Sequence, residues 1–201
     1  GESMNNDLKD TLVLCDLDHL LLDANGSLPQ VLRDVMQLFA SRGGRLTVFS
    51  QRSPRAVRTL LGSVRLAAPA LVCGGTLAYQ FSTGTAQALC SFAGREETVL
   101  QKLPSAVGLG IALQMTDGTT RVLRMSEALE AHLREEWTPF VLSNAADVRG
   151  EDVLRILLYQ DKKQMPLLPL LDQALGEAGN TVLAARTAPD TLVLTPGAVS
   201  G

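Results

Sequence analysis

Aromatic residues are scarce in this sequence and make up 4% of its 201 residues. Proteins that hold single-stranded nucleic acids stack the bases on aromatic side chains, so this class is disfavoured. An excess of positive charge is also lacking, because 18 basic residues face 21 acidic ones and the formal net charge is −3. Such a chain has no electrostatic attraction to nucleic acid or to an anionic membrane. We therefore expect neither as a partner.

Cysteine is equally sparse, with Cys15, Cys73 and Cys90 as the full set. The count is odd and the spacings match no zinc-binding pattern. Cys15 and Cys73 lie in or at the end of apolar runs, where cysteine behaves as a small hydrophobic residue. The polar first ten residues do not resemble a secretory signal, and no apolar run reaches the roughly 18 residues of a membrane span. The sequence therefore predicts a cytoplasmic protein.

Apolar residues are abundant, at 46% of the chain, and in the first half they form a regular pattern. Short apolar runs predict buried strands at 11–15, 46–49 and 70–72. Helical periodicity predicts helices at 28–41 and 54–61. Strand, helix, strand, helix, strand is the beginning of a doubly wound parallel sheet. A hairpin with strands at 77–81 and 86–92 is expected to follow.

The pattern changes from about Arg95, where helices alternate with antiparallel strands. We expect helices at 96–103, 126–137 and 165–178, and strands at 110–115, 121–125, 153–159, 181–185 and 191–194. This order is typical of an α+β domain. The sequence therefore predicts a first domain over 1–92, a second domain over 93–186, and a return to the first domain over 187–201.

Two acidic residues, Asp16 and Asp18, follow the first predicted strand. Residues i and i+2 of a strand point the same way, and ligands of open α/β sheets bind at the carboxyl ends of the strands. Two carboxylates so close require a cation or a shared proton, and Mg²⁺ accepts one or two carboxylates together with phosphate oxygens. A carboxylate can also attack phosphorus and form an aspartyl-phosphate. A solvated loop would carry the same pair of residues equally well.

Four segments in order resemble the motifs of the haloacid dehalogenase (HAD) superfamily. Residues 12–22 (LVLCDLDHLLL) are similar to the hydrophobic strand and DxDGTLL of the first motif, and residues 48–52 (VFSQR) to the second motif, in which Ser or Thr precedes Gly-Arg. Residues 71–79 (LVCGGTLAY) resemble the turn and hairpin that lead into the cap, and residues 192–201 (LVLTPGAVSG) the return from the cap. Their order and spacing resemble the Cof-type sugar-phosphate phosphatases, whose cap is inserted after the third strand.

This resemblance implies an α/β fold, an incomplete HAD-like Rossmannoid parallel sheet with an inserted α+β cap. It also implies that Asp16 is the nucleophile, that Asp18 is the general acid and base, and that both ligate Mg²⁺. Ser50 and Arg52 would bind the phosphoryl group. From the residues alone, Ser50 could instead cap the helix that Pro54 begins, and Arg52 could be a surface charge.

Several positions depart from the family pattern. His19 and Leu20 stand where the family has Gly and Thr, Gln51 replaces a Gly, and Cys73 replaces an Asn. The sequence reaches Gly201 where the family's motif-three lysine and the following helix begin. That lysine and the Gly-Asp-x-x-Asn-Asp metal acids have no counterpart in it. Since phosphoryl transfer depends on such charges, we expect weak Mg²⁺ binding and low activity.

Two functions remain open on this sequence. One is an impaired Mg²⁺-dependent phosphatase of small phosphorylated metabolites such as sugar phosphates, and the other is a non-catalytic HAD-like binding or regulatory module. Whether the chain is an enzyme is thus left undecided. By the resemblance, one side of the first strand would be an open apolar edge. We expect a second copy, a partner chain or residues 185–201 to cover it.

Overall fold

The computed structural model describes residues 8–20, 22–162 and 182–197. The chain divides into two compact units, Gly1–Gln87 and Ala88–Gly201. The helix expected at 165–178 lies outside the described residues. None of the helices in the described ranges is long and apolar enough to cross a membrane.

The first unit is built around a sheet of five described strands, which alternate at first with helices. The elements are β1 (Leu12–Asp16), α1 (Gln30–Ser41), β2 (Arg45–Phe49), α2 (Pro54–Leu61), β3 (Ala70–Val72), β4 (Leu77–Gln80) and β5 (Thr85–Ala88). Their order in the sheet is β1-β2-β3-β4-β5. The first three strands are parallel and β4 is antiparallel to β3. The predicted α/β class is confirmed, and the expected hairpin extends the parallel sheet.

Helix α2 shows how the local sequence sets the boundaries of an element. The Ser53 side chain accepts a hydrogen bond from the Ala56 N–H, and Pro54 occupies the first helical turn. Proline is favoured there because the N–H that it lacks has no partner in that turn. The helix ends at Gly62, whose φ of 60° is unfavourable for other residues. Between these limits Val57 and Leu60 are fully buried.

The second unit has a six-stranded sheet in the described part of the chain. Its elements are α3 (Glu96–Lys102), β6 (Leu109–Met115), β7 (Thr120–Arg124), α4 (Glu127–Glu135), β8 (Val141–Leu142), β9 (Val153–Gln160), β10 (Val182–Ala188) and β11 (Thr191–Pro196). The order is β10-β11-β9-β6-β7-β8. All neighbours are antiparallel except β7 and β8. The strand β11 lies wholly within 187–201, which the sequence assigns to a return to the first domain, but it pairs with β9 in this sheet.

Alternate residues of the central strand β6 face two separate cores. Leu109, Ile111 and Leu113 pack in one cluster with Val99 of α3. Ala112 lies in the other cluster, with Leu129 and Leu133 of α4. In the described part of the chain, α3 therefore packs against one face of this sheet and α4 against the other. The period-2 alternation of β6 determines which residue meets which helix.

Strand β1 lies at the edge of its sheet and is not buried, so the prediction of a buried strand is wrong here. Leu12 is 58% exposed and Leu14 54% exposed. In the described part of the chain β1 is paired with β2 alone, which leaves its other edge without hydrogen-bond partners. Helix α1 also exposes apolar side chains, with Val31 at 72% and Val35 at 58%. An unpaired edge together with exposed apolar side chains is typical of a surface that associates.

We expect this surface to make the protein self-associate. The apparent mass from size-exclusion chromatography with light scattering should rise with protein concentration. Replacing Val31 and Val35 together by Ser should shift the distribution towards the monomer, because apolar area contributes about 25 cal/mol per Å² when it is buried. Val107→Ser is the matched control, since Val107 is 85% exposed but belongs to the second unit. A strictly monomeric wild-type protein at high concentration would contradict the expectation.

Candidate active site

The two predicted acidic residues lie at the carboxyl end of β1, but not on one continuous strand. Asp16 is the last residue of β1, and Asp18 belongs to a 3₁₀ turn formed by Leu17–His19. Leu17 is 1% exposed and anchors this turn in the core. The Asp18 N–H donates to Asp16 Oδ1 over 3.1 Å. The turn therefore fixes the two carboxyl groups relative to each other more tightly than strand alternation alone would.

The loop that follows β2 surrounds the Asp18 carboxylate with donors. Ser50 Oγ donates to Asp18 Oδ1 over 2.9 Å, and the Gln51 N–H donates to Asp18 Oδ2 over 2.5 Å. Arg52 Nε lies 3.8 Å from Asp18 Oδ1. The structure thus brings the predicted residues Asp18, Ser50 and Arg52 together. The helix cap at Pro54 is Ser53 and not Ser50, so the alternative reading of Ser50 is excluded.

The loop after β3 holds the β2 loop in place from the other side. The Gly74 N–H donates to the Ser50 carbonyl over 3.0 Å, and the Cys73 N–H donates to the Arg52 carbonyl over 2.9 Å. Cys73 has a φ of 52° and Gly74 a φ of 69°, in the left-handed region that glycine and asparagine enter most easily. The Gly-Gly sequence after β3 is therefore needed to turn the chain towards Ser50.

Arg52 is a half-buried cation and not a freely exposed surface charge. Its side chain is 14% exposed, and its ion pair with Asp18 is long, at 3.8 Å. Its Nη1 is shielded from solvent and has no hydrogen-bond partner among the described residues. A buried donor without a partner is costly and rare in folded proteins. The guanidinium therefore has capacity for an acceptor, and an anion with several oxygens would match its planar set of donors.

His19 contacts Asp16, which the sequence reading did not anticipate. His19 Nδ1 lies 2.7 Å from Asp16 Oδ2, although 84% of the His19 side chain is exposed. Both carboxylate oxygens of Asp16 are consequently engaged, one by the imidazole and one by the Asp18 N–H. In the sequence, this contact is indicated by the position of His19, which follows Asp16 by three residues across a tight turn. The hydrogen bond from the Gln51 N–H was also missed, because every residue type except proline has this main-chain donor.

Cys15 precedes Asp16 and is the other potential nucleophile at this end of β1. Burial, and then the negative charge of Asp16, raise the pKa of the Cys15 thiol. The reactive form of cysteine is the thiolate, so a raised pKa makes this thiol a poor nucleophile. The carboxylate of Asp16, 39% exposed, is the better candidate.

The donor set at Asp16 and Asp18 is compatible with a single weakly held Mg²⁺. Mg²⁺ prefers oxygen ligands and usually keeps several waters, so one or two protein carboxylates are sufficient. Within the described ranges no three His, Cys, Asp or Glu side chains are grouped so that they could hold a metal ion. Asp16 and Asp18 could therefore supply only part of a magnesium shell, and water or ligand oxygens would have to fill the remaining positions.

No protein-family model matches the sequence, and no curated protein matches it. Solved structures do match. A haloacid dehalogenase-like hydrolase from Bacteroides thetaiotaomicron superimposes with a TM-score of 0.78 at 16% identity, over 92% of this chain and 71% of its own. The protein BT1666 of the same organism is described among the phosphatases of the HAD superfamily. It superimposes with a TM-score of 0.66 at 15% identity, over 92% of this chain and 66% of its own.

A HAD/COF-like hydrolase from Plasmodium vivax gives a TM-score of 0.70 at 13% identity, over 94% of this chain and 69% of its own. Identities this low establish the fold and nothing beyond it. The matches nevertheless extend over nearly all of this chain, and all three proteins are HAD proteins by name. The chain therefore has the fold of the haloacid dehalogenase-like hydrolases.

Proposed function

We propose that this protein is a phosphohydrolase of low activity that acts on small phosphorylated metabolites. The observation that carries the proposal is the contact between Asp18 and the β2 loop, where Ser50 Oγ and the Gln51 N–H bind one carboxylate beside Asp16. Two acids, Asp16 and Asp18, and the half-buried cation Arg52 then lie at the carboxyl ends of two parallel strands, where ligands of open α/β sheets bind. The HAD-like fold supports the same chemistry.

In this proposal Asp16 attacks the phosphorus atom of the substrate. A bond forms between a carboxylate oxygen and phosphorus, and the ester P–O bond breaks. Asp18 donates a proton to the leaving oxygen. It then takes a proton from the water that attacks the aspartyl-phosphate, which releases inorganic phosphate and regenerates Asp16. Ser50 keeps the Asp18 carboxyl group oriented for both steps.

Two further groups are proposed to bind the phosphoryl group. The guanidinium of Arg52 has an unused donor at Nη1 and lies beside Asp18. Asp16, with the Asp18 main-chain carbonyl, would hold Mg²⁺. That ion would supply positive charge to the phosphoryl oxygens. Sugar phosphates are the proposed substrates and the cytoplasm the proposed location, in keeping with the Cof-type motifs and the three free cysteines.

Low activity is proposed because two side chains near Asp16 are unsuited to the reaction. Leu20 stands where the motif has a threonine, and a leucine has no hydroxyl group to donate. His19 occupies Asp16 Oδ2 and must leave that oxygen before it can attack. The loss of one preorganised contact commonly costs about 10²- to 10³-fold in rate. The missing hydroxyl at Leu20 is a loss of this kind, and the displacement of the exposed His19 side chain adds a smaller cost.

The contact between His19 and Asp16 also favours a second function, a non-catalytic module that binds phosphorylated molecules. In such a module Asp16 would be held by His19, and Arg52 would still bind the anion. Both functions therefore predict that the protein binds phosphate, but the phosphohydrolase also hydrolyses phosphate esters and the non-catalytic module does not.

The activity proposal is tested with p-nitrophenyl phosphate and Mg²⁺. We expect slow hydrolysis by the purified chain, and Asp16→Asn should abolish it because the amide is a poor nucleophile. Asp34→Asn is the matched control and should leave the rate unchanged, since Asp34 lies on α1 and is bonded to Gln30. Slow hydrolysis that persists in Asp16→Asn would refute the aspartyl-phosphate route. Rapid Asp16-dependent turnover would refute the impairment.

The binding proposal is tested by titrating inorganic phosphate into the Asp16→Asn protein and measuring the heat. Arg52→Ala should weaken binding by about tenfold or more, because the charge-assisted hydrogen bond that the half-buried guanidinium donates to phosphate is lost. Arg55→Ala is the control, since Arg55 is exposed on α2. Equal effects of the two substitutions would mean that Arg52 does not contact phosphate. Tight phosphate binding without any hydrolysis would favour the non-catalytic module.

A further inference from the structure

The second unit contains a cavity of about 580 Å³ between α3 and the loop that precedes β9. Volumes of this size are typical of small-molecule sites. Acidic side chains contribute much of its lining, namely Glu96, Glu97, Glu151 and Asp152. Leu100 and Val148 contribute an apolar part, and Arg149 is the basic residue of the lining. The wall of the cavity is therefore mainly apolar, and its charged residues carry a net negative charge.

Glu96 is the residue that indicates a ligand. It lines the cavity and is 6% exposed, and its Oε2 has no hydrogen-bond partner among the residues that the structure describes. A buried carboxylate is costly unless it is paired with a donor or a cation. Glu96 lies in the first turn of α3, where the helix dipole favours an acid, but its Oε2 has no hydrogen-bond donor among the described residues.

The other three acids of the lining have partners, and the pair that Glu97 makes is the longest and most exposed of them. Asp152 accepts hydrogen bonds from Ser91 Oγ over 2.8 Å and from the Ala93 N–H over 3.1 Å. Glu151 lies 3.5 Å from Arg121. Glu97 has a loose pair with Arg149 at 3.9 Å, and both side chains are more than half exposed. Glu96 and Glu97 are therefore the carboxylates with capacity for an added cation.

We infer that this cavity binds a small aliphatic diamine or polyamine. An ammonium group would donate to Glu96, a second ammonium would lie near Glu97, and the methylene chain between them would contact Leu100 and Val148. A metal ion is a poorer match, because no three acidic, His or Cys side chains of the described residues are arranged to hold one. The inference concerns the second unit alone and does not depend on the phosphohydrolase proposal.

The probe is 1,4-diaminobutane, titrated calorimetrically into the full chain at about 0.15 M salt so that interactions between exposed charges are screened. We expect saturable binding, and no heat of binding from 1,4-butanediol, which has the same chain length without the charges. Glu96→Gln should weaken binding by at least tenfold. Glu130→Gln is the control for a lost negative charge, since Glu130 pairs with Arg134 on α4 and does not line this cavity.

Two further variants separate a built site from general electrostatic attraction. Ala145→Trp, at an exposed position of the lining, should block the cavity and abolish binding without changing the net charge. Arg149→Gln should tighten binding about two- to threefold, because it releases Glu97 from its pair.

Thermal unfolding shows whether each variant is folded. Glu96→Gln should be at least as stable as the wild type, because it removes an unpaired buried carboxylate. Three results would overturn the inference: no binding to the wild type, equal weakening by Glu96→Gln and Glu130→Gln, or unchanged binding in a folded Ala145→Trp protein.

Discussion

The hydrogen bonds that Asp18 accepts from the β2 loop are the interaction on which the candidate site depends. Ser50 Oγ and the Gln51 N–H together bind both oxygens of one carboxylate, so the end of β1 is tied to the end of β2. The loop after β3 is joined to the same point through Gly74 and Ser50. The three parallel strands are thus joined at their carboxyl ends, and the Arg52 guanidinium is held half-buried beside Asp18.

The features that sequence periodicity controls could be predicted. The parallel β1-β2-β3 arrangement and the helices α1, α2 and α4 all follow from local patterns, and the structure contains each of them. The resemblance to HAD motifs led to the correct fold. Asp18, Ser50 and Arg52 could be placed at one end of the sheet because parallel strands end on the same side.

What could not be predicted depends on neighbours distant in sequence. An apolar run such as Leu12 to Leu14 predicts a strand, but it does not reveal whether a second strand lies beside it. The exposure of these side chains follows from the edge position of β1 in the described sheet. The short strand β8 was missed for a similar reason, since Val141 and Leu142 are both exposed and form a strand only through pairing with β7. The roles of Asp16, Asp18, Ser50 and Arg52 stay predictions.

The local chemistry of Asp16 decides between the two proposed functions. In the observed turn its carboxylate accepts a hydrogen bond from the Asp18 N–H and contacts the His19 imidazole. The group is therefore well ordered, but both of its oxygens already have a partner. An ordered nucleophile favours catalysis through orientation, whereas the His19 ring next to Oδ2 opposes attack from that oxygen.

His19 is 84% exposed, which means that few contacts restrain the ring and a ligand could displace it. The same exposure makes its contact with Asp16 a weak one, since interactions between exposed groups contribute little. The obstacle at Asp16 is therefore small, and the missing hydroxyl at Leu20 is the larger chemical defect, because no movement of a leucine side chain can supply a donor.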